Sequence, residues 1–184
     1  MQVPRRLLLT GRYELPFGPG KAFVQDGIMA RFLQGWSIQG ISNFQDGPWF
    51  TVYLPGDTLD TGSEHSQWPD RISNPNLPEA ERTPNRWFDT SAFVLPESFR
   101  YGNAGRGTVE GPGMINIDFA LHRAFDVHDT QKLEIRLEMF NAANHTNFTV
   151  ENGSQTQQFG TPGFGAMGKA LPARQLQVAL KYSF

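Results

Sequence analysis

The sequence predicts an all-β fold: an antiparallel meander that forms the C-terminal part of a transmembrane β-barrel, incomplete and with long external loops. Three observations lead to this prediction. Several segments alternate apolar and polar residues with a period of two. Glycine (19 residues) and proline (13 residues) are plentiful, which is typical of short strands joined by turns. Short and long connections also alternate along the chain, as they do in membrane barrels.

The last segment of the chain carries the clearest alternation. Its apolar side chains occupy every second position and end on an aromatic residue, with polar or small side chains between them. The apolar set is Leu176, Val178, Leu180, Tyr182 and Phe184, and the other set is Gln175, Gln177, Ala179, Lys181 and Ser183. Since a tilted strand of about 9–11 residues crosses a bilayer, we predict a membrane strand here.

Two earlier segments show the same period. Residues 132–139 place Leu133, Ile135, Leu137 and Met139 opposite Lys132, Glu134, Arg136 and Glu138. Residues 115–125 place Ile117, Phe119, Leu121 and Phe125 opposite Asn116, Asp118, Ala120 and His122. Arg123 interrupts the apolar row near its end, where its long stem can carry the charge towards the membrane interface.

Two further strands precede these and are less regular. We expect strands near residues 6–15, 36–53, 115–125, 132–143 and 174–184, all in one barrel portion that spans residues 1–184. Aromatic residues near the strand ends predict two interfacial girdles, although a β-sandwich core explains them about as well. One girdle is Tyr13, Phe125, Tyr182 and Phe184, and the other is Phe44, Trp49, Phe50 and Tyr53.

The connections between these strands predict their orientation. Residues 126–131 form a tight turn and residues 17–35 a moderate one, whereas residues 55–113 and 145–173 are long. If Phe184 lies on the periplasmic side, strand direction places both long connections outside the cell and both short ones inside the periplasm. Five strands cannot close a barrel, since the smallest have about eight. We therefore expect an open, curved sheet with two unpaired edges and poorly ordered long loops.

The tight turn also predicts a register. The polar faces of the two flanking strands lie on the same side only if paired residue numbers sum to an even value. A turn centred on residues 128–130 satisfies this condition and places His122 opposite Glu134 or Arg136. The same alternation predicts that Lys181 lies near Glu134 across the next strand pair.

Composition excludes several classes of function. The formal net charge is -2, so no basic stripe for nucleic acid is expected. There is no cysteine, which removes disulfides, thiolate catalysis and cysteine-ligated zinc. The four histidines lack metal-ligand spacing, and no nucleophile elbow, phosphate loop or paired acid/base constellation occurs. We expect no enzyme activity, no cofactor and no metal. The N-terminal apolar run of three residues is too short for a signal peptide, which indicates a chain that is incomplete at its start.

Several short motifs, in order along nearly the whole chain, resemble one family. They are YELPFG at 13–18, GWSIQG at 35–40, WFDTSAF at 87–93, YGNAGRG at 101–107, GPGMINID at 111–118, EMFNAANHTNF at 138–148 and PARQLQ at 172–177. Together they resemble the C-terminal barrel region of TonB-dependent receptors, of the large Oar-like type whose N-terminus carries a carboxypeptidase-regulatory-like domain. The resemblance implies a plugged barrel of about 22 strands in the bacterial outer membrane that imports a large or scarce ligand. The plug and the energy-coupling segment have no counterpart in this chain.

The resemblance also implies partners and residue roles. Expected partners are outer-membrane lipid, the barrel assembly machinery, an unknown transported ligand and, through the N-terminal parts that this chain lacks, an energy-coupling inner-membrane complex. Lipid contact is expected at Leu133, Ile135, Leu137, Leu176, Val178 and Leu180. Lumen lining with ligand or plug contact is expected at Asn116, Asp118, His122, Glu134, Arg136, Glu138, Gln177 and Lys181. The assembly signal would be Val178, Leu180, Tyr182 and Phe184.

Two alternatives stay open from the sequence. The charged residues of 134–138 also fit a solvated polar face with cross-strand ion pairs. The whole chain also fits a secreted or cell-surface β-sandwich binding module, whose apolar face would pack against a second sheet.

Overall fold

The computed structural model describes residues 3–57, 59–60, 62, 67–128, 130–151 and 154–184. The chain folds into two compact units. The sheet unit contains residues 7–44, 115–145 and 172–184, and the loop unit contains residues 1–6, 45–114 and 146–171. The sheet unit holds the predicted strands, and the loop unit holds most of the two long connections.

Most of the described secondary structure is strand. In chain order the strands are β1 (Arg6–Glu14), β2 (Trp36–Gln45), β3 (Trp49–Phe50), β4 (Asp70–Arg71), β5 (Phe93–Val94), β6 (Val109–Glu110), β7 (Met114–His128), β8 (Gln131–Phe140), β9 (Phe148–Thr149), β10 (Lys169–Ala170) and β11 (Gln175–Ser183). The helices are α1 (Gly27–Leu33) and three 3₁₀ turns at Glu79–Glu81, Thr90–Ala92 and Gln155–Gln157. Among the described residues, no helix has the length and apolar character needed to span a membrane.

The sheet unit is one five-stranded sheet with the order β1-β2-β7-β8-β11. Its five strands follow one another in the order of the chain, so the sheet is a meander once the loop unit is set aside. β7 and β8 pair antiparallel, and so do β8 and β11. The sheet is open, with β1 and β11 at its edges. The predicted fold class, an incomplete all-β meander, is confirmed.

The register of β7 and β8 agrees with the predicted parity. His122 lies opposite Arg136, one of the two expected partners. Lys181 of β11 lies opposite Glu134, as expected. The pairing shifts between Asp126 and His128, close to the turn, where a bulge ends the regular ladder. The alternating apolar residues of the three strands therefore share one face, together with Arg123, and the other charged residues in the paired registers share the opposite face.

The strand expected near residues 36–53 is two strands. β2 ends at Gln45, and Trp49–Phe50 belongs to a separate two-stranded sheet with Val109–Glu110. The segment between β2 and β3 contains Gly47, which packs against the backbone of Gly111. A Cβ at position 47 would lie 1.8 Å from the carbonyl oxygen of Gly111, so only glycine fits there. Phe50 is 1% exposed in the loop unit, so its expected place in a lipid-facing girdle is wrong.

β8 also ends earlier than expected, at Phe140 rather than near residue 143. Asn141 follows with a φ of 48°, in the left-handed region that β-strands do not use. The Asn141 side chain also makes hydrogen bonds to the backbone of His145 in the turn that follows. The regular strand therefore ends before Asn141. The connection between β1 and β2, expected as a connection of moderate length, contains α1.

The loop unit has a hydrophobic core of its own. Phe88 is at its centre, with ring centroids 6.0 Å from Phe50, 6.0 Å from Phe93 and 5.2 Å from Phe164, in edge-on geometry. Val52, Ala92, Ala104 and Val109 are buried in the same cluster. Edge-on aromatic pairs of this kind each add about 0.5–1.5 kcal/mol to simple burial. The expectation of poorly ordered long loops is therefore wrong for most of their described residues.

Candidate functional site

The charged face of the sheet collects the side chains that the sequence predicts as lumen lining. Strand alternation and the two registers place Asn116, Asp118, His122, Glu134, Arg136, Glu138, Gln177 and Lys181 on this face. Glu134 lies between Ala124 of β7 and Lys181 of β11, and Glu138 lies between Ala120 and Gln177. The small side chains on β7 leave space above the carboxylates. The face thus presents side chains of both charges on one side of the sheet.

A histidine–carboxylate contact and an ion pair lie in the middle of this face. His122 Nε2 lies 3.3 Å from Glu134 Oε1, and Arg136 Nη1 lies 3.6 Å from Glu138 Oε1. The side chains of Glu134 and Arg136 are 35% and 48% exposed, so water or a ligand reaches both. Such half-exposed pairs contribute little to stability, and their groups are available for exchange with a ligand.

Asp118 has a structural role on the same face. One carboxylate oxygen accepts the backbone N–H of Asn141 at 2.9 Å, and the other accepts the amide of Asn116 at 2.9 Å. The bond from Asn141 attaches the end of β8 to β7, and the bond from Asn116 lies within β7. Both carboxylate oxygens of Asp118 are thus hydrogen-bonded within the sheet unit. The alternation of apolar and polar residues did not predict this structural role.

A cleft of about 620 Å³ lies over this face at the β1 side. Its lining includes residues from four neighbouring strands: Thr10, Arg12, Gln39, Ile41, Asp118, Ala120, Glu138 and Phe140. Its volume is in the range of small-molecule sites, and its wall combines apolar surface with Arg12 and Glu138. The site reaches β1 and β2, whose contribution the sequence did not predict.

The opposite face of the sheet is apolar. On β11, Leu176, Val178 and Leu180 are 72%, 73% and 68% exposed. In register beside them lie Leu133, Ile135, Leu137 and Met139, followed by Phe119, Leu121 and Phe125. A β-sandwich would cover the apolar row of β11 with a second sheet. An exposed apolar row next to a charged face is the arrangement of a strand between lipid and an aqueous lumen.

The four residues that the sequence predicts as an assembly signal lie in β11 and directly after it. Val178, Leu180 and Tyr182 lie on the apolar face of this edge strand, Phe184 follows its last residue, and the rings of Tyr182 and Phe184 are 6.0 Å apart. Phe184 is 93% exposed. An edge strand with an exposed terminal aromatic is accessible for pairing with another chain.

Asn141 is the residue that sequence reasoning missed most clearly. Its side-chain amide donates to the carbonyls of His145 (2.9 Å) and Pro172 (3.2 Å), and its side-chain oxygen accepts the N–H of His145 at 3.0 Å. Asn144 accepts the N–H of Arg174 at 3.2 Å. The signal available in the sequence was two asparagines three residues apart, a residue type that tolerates positive φ, and both adopt it.

In the loop unit, the buried Asp70 is the centre of a polar cluster whose other members are exposed. Arg100 donates to both carboxylate oxygens, with Nη1–Oδ1 at 3.0 Å, and the N–H of Asn103 donates to Oδ1 at 3.0 Å. Asn103 Oδ1 in turn accepts the N–H of Arg71 at 2.7 Å. The hydrogen bonds from Arg100 hold the pKa of Asp70 below its ordinary value. Asn103, within the motif at 101–107, therefore binds the Asp70 carboxylate through its backbone N–H and the neighbouring Arg71 through its side chain.

A second cavity, of about 220 Å³, lies within the loop unit between residues 149 and 169. Its polar lining includes Thr149, Glu151, Thr156 and Lys169, and Lys169 Nζ lies 2.8 Å from Glu151 Oε2. Among the described residues, no group of three or more His, Asp or Glu side chains could hold a metal ion. Residues 57–64, which include the carboxylates of Asp57, Asp60 and Glu64, lie only partly within the described residues.

The sequence comparison assigns the family. A profile of the outer membrane beta barrel domain matches residues 1–177. The chain belongs to the outer membrane β-barrel domain family. Neither a curated protein nor a solved structure matches it. This outer membrane β-barrel domain is located in the bacterial outer membrane, and its open sheet is an incomplete barrel.

Proposed function

We propose that this outer-membrane barrel domain is the C-terminal barrel segment of a TonB-dependent receptor that imports a large or scarce ligand. Additional strands would pair with the edges at β1 and β11 and close the barrel. In this proposal the loop unit recognises the ligand outside the cell. The charged face of the sheet lines the lumen and contacts the ligand or the plug.

The charged face is the observation that carries the proposal. Barrels of about eight strands fill their interior with side chains, whereas larger barrels enclose a channel or a plug. Here Glu134, Arg136 and Glu138 lie on the charged face of the sheet, and Glu138 lines an open cleft of about 620 Å³. Charged side chains with open space above them need water or a polar protein surface opposite. A plugged barrel supplies that surface.

The compact loop unit supports the same proposal. External loops that only connect strands need no core, but this one buries Phe50, Phe88 and Phe93 almost completely. An ordered loop presents a fixed surface to a ligand, which lowers the entropic cost of binding. Ligand recognition is therefore assigned to this unit, and coupling to the inner membrane is assigned to parts outside the chain.

Photocrosslinking in native outer membranes tests this assignment. Benzoylphenylalanine at Arg136 is expected to crosslink to a globular plug segment of the same polypeptide, identified by peptide mass spectrometry. The matched control is Leu137, its neighbour on the apolar face, which is expected to crosslink to lipid. The polypeptide that carries the label is expected to migrate far above 20.6 kDa. A labelled band at 20.6 kDa, or no crosslink from Arg136 to protein, would contradict the proposal.

A further inference from the structure

The connection between β1 and β2 exposes a group of large apolar side chains. We call Phe23, Ile28, Met29 and Phe32 the α1 patch; their exposures are 58%, 73%, 61% and 65%. Ala30 is the buried residue of the helix, at 2%. The helix therefore turns its small residue inwards and its large apolar residues outwards. A contiguous apolar surface of this kind marks an interaction site.

Arg123 attaches α1 to the apolar face of the sheet. It lies in the same alternating row as Leu121 and Phe125, and its guanidinium donates to the backbone carbonyls of Arg31 and Phe32 at the C-terminal end of α1. Trp36 Nε1 donates to the same Phe32 carbonyl at 3.0 Å. A cation at the C-terminal end of a helix satisfies carbonyls that have no partner within the helix.

Aromatic rings complete the environment of this charge. The guanidinium of Arg123 lies 3.9 Å from the ring centroid of Phe125 and 5.8 Å from that of Trp36. The residue as a whole is 5% exposed. A cation on an apolar face is thus covered by two rings and two carbonyls, which lowers the cost of placing it beside hydrocarbon.

The α1 patch is joined to the apolar face of the sheet through Arg123. Arg123, Phe125 and Trp36 lie at the end of the sheet that carries the β7–β8 turn, and α1 is bonded to that end. Tryptophan, arginine and a helix with exposed apolar residues are typical of the boundary between headgroups and acyl chains. Arg31, exposed on the same helix, supplies a positive charge towards lipid phosphate.

We propose that the α1 patch inserts into the phospholipid surface at the turn end of the barrel, with Arg123 fixing the helix in that position. The occupant is the headgroup and upper acyl region of the leaflet that surrounds this end. The helix thereby acts as an interfacial anchor beside the membrane strands.

Single-cysteine labelling tests this directly, because the chain contains no cysteine. Ile28→Cys, Met29→Cys and Phe32→Cys are labelled with nitrobenzoxadiazole in vesicles of phosphatidylethanolamine and phosphatidylglycerol. Only protein that floats with the vesicles is measured. Leu180→Cys is the lipid-facing control, and Lys132→Cys, in the β7–β8 turn region, is the aqueous control.

The three α1 labels are expected to be quenched by brominated lipid as strongly as the Leu180 label. Bromine near the headgroup is expected to quench them more than bromine deep in the chain, because an interfacial helix lies about 5–10 Å into the boundary. Aqueous iodide is expected to quench them much less than the Lys132 label. Iodide quenching equal to that at Lys132 overturns the proposal. Protection from both quenchers also overturns it, since it means that protein rather than lipid covers the patch.

Discussion

The side-chain amide of Asn141 donates to the backbone carbonyl of Pro172 at 3.2 Å, and so joins the end of β8 to the approach of β11. The two residues are 31 positions apart in the chain. The same side chain closes the turn at His145 through two further bonds. One asparagine therefore fixes where the β8 strand ends and where its neighbour begins.

Substitution of Asn141 is expected to weaken the sheet in two separable steps. Asn141→Gly removes the side-chain bonds but keeps the left-handed backbone, so the free energy of unfolding in detergent micelles should fall by about 1–3 kcal/mol. Asn141→Ala adds backbone strain at a φ of 48° and should cost about 1–2 kcal/mol more. A glycine variant as stable as the wild type would show that the bonds to His145 and Pro172 contribute nothing.

Acid is expected to weaken the loop unit through Asp70. Because Arg100 lowers the pKa of Asp70 in the folded state, the stabilisation is present above the ordinary pKa of about 3.9. It is lost as the pH falls below that value and through the folded pKa. Tryptophan fluorescence during urea unfolding, repeated from pH 6 to about pH 2, measures this loss, since Trp49, Trp68 and Trp87 belong to the loop unit.

Asp70→Asn should be less stable than wild type at neutral pH and should show a flatter acid dependence. Glu97→Gln is the matched control, because Glu97 lies 3.7 Å from Arg100 but its side chain is 88% exposed. Its profile should follow the wild type. An Asp70→Asn profile with the wild-type acid dependence would assign the pH effect to other carboxylates.

Gly102 is expected to tolerate no side chain. A Cβ there would lie 2.0 Å from the carbonyl oxygen of Trp68 and 2.4 Å from that of Pro69, so Gly102→Ala must displace backbone. We expect a loss of several kcal/mol, or failure of the loop unit to fold, with protease cleavage inside residues 67–110. Gly168→Ala is the control, since its Cβ would meet nothing within 4 Å. Equal protease resistance in the two variants would contradict the close packing at Gly102.

The charged face of the sheet is expected to contribute little to stability. Glu134→Gln removes the pair with His122 and should change the unfolding free energy by less than about 1 kcal/mol, since the group is partly solvated. Lys181→Met, opposite Glu134, should behave the same way. Urea unfolding in micelles measures both. A loss of about 3 kcal/mol or more would mean that this face is dry and buried rather than an aqueous lumen.

The sheet could be predicted because its information is local. The alternation of residues 132–139 and 175–183 fixes which side chains share a face, and the length of the turn fixes the parity that brings His122 opposite Arg136. The charged face follows from these two facts alone.

The loop unit could not be predicted in the same way. Its core joins Phe50, Phe88, Phe93 and Phe164, which come from segments without any regular period. The bonds around Asp70 and Asn141 connect residues about thirty positions apart through side-chain amides and backbone groups. Pattern analysis compares neighbours along a strand, so it predicts none of these contacts. It places Phe50 in a strand near residues 36–53 and Asn141 in a strand near residues 132–143, and it expects the long connections to be poorly ordered.

Cysteine scanning along β11 in native outer membranes tests the central claim most directly. Each residue from Gln175 to Ser183 is replaced in turn and treated with a membrane-impermeant maleimide and, separately, with a lipid-soluble one. We predict a period of two: Gln177, Ala179 and Lys181 react with the water-soluble reagent, and Leu176, Val178 and Leu180 react only with the lipid-soluble one. Uniform aqueous reactivity along β11, or protection of both sets, would contradict a strand that separates lipid from a polar lumen.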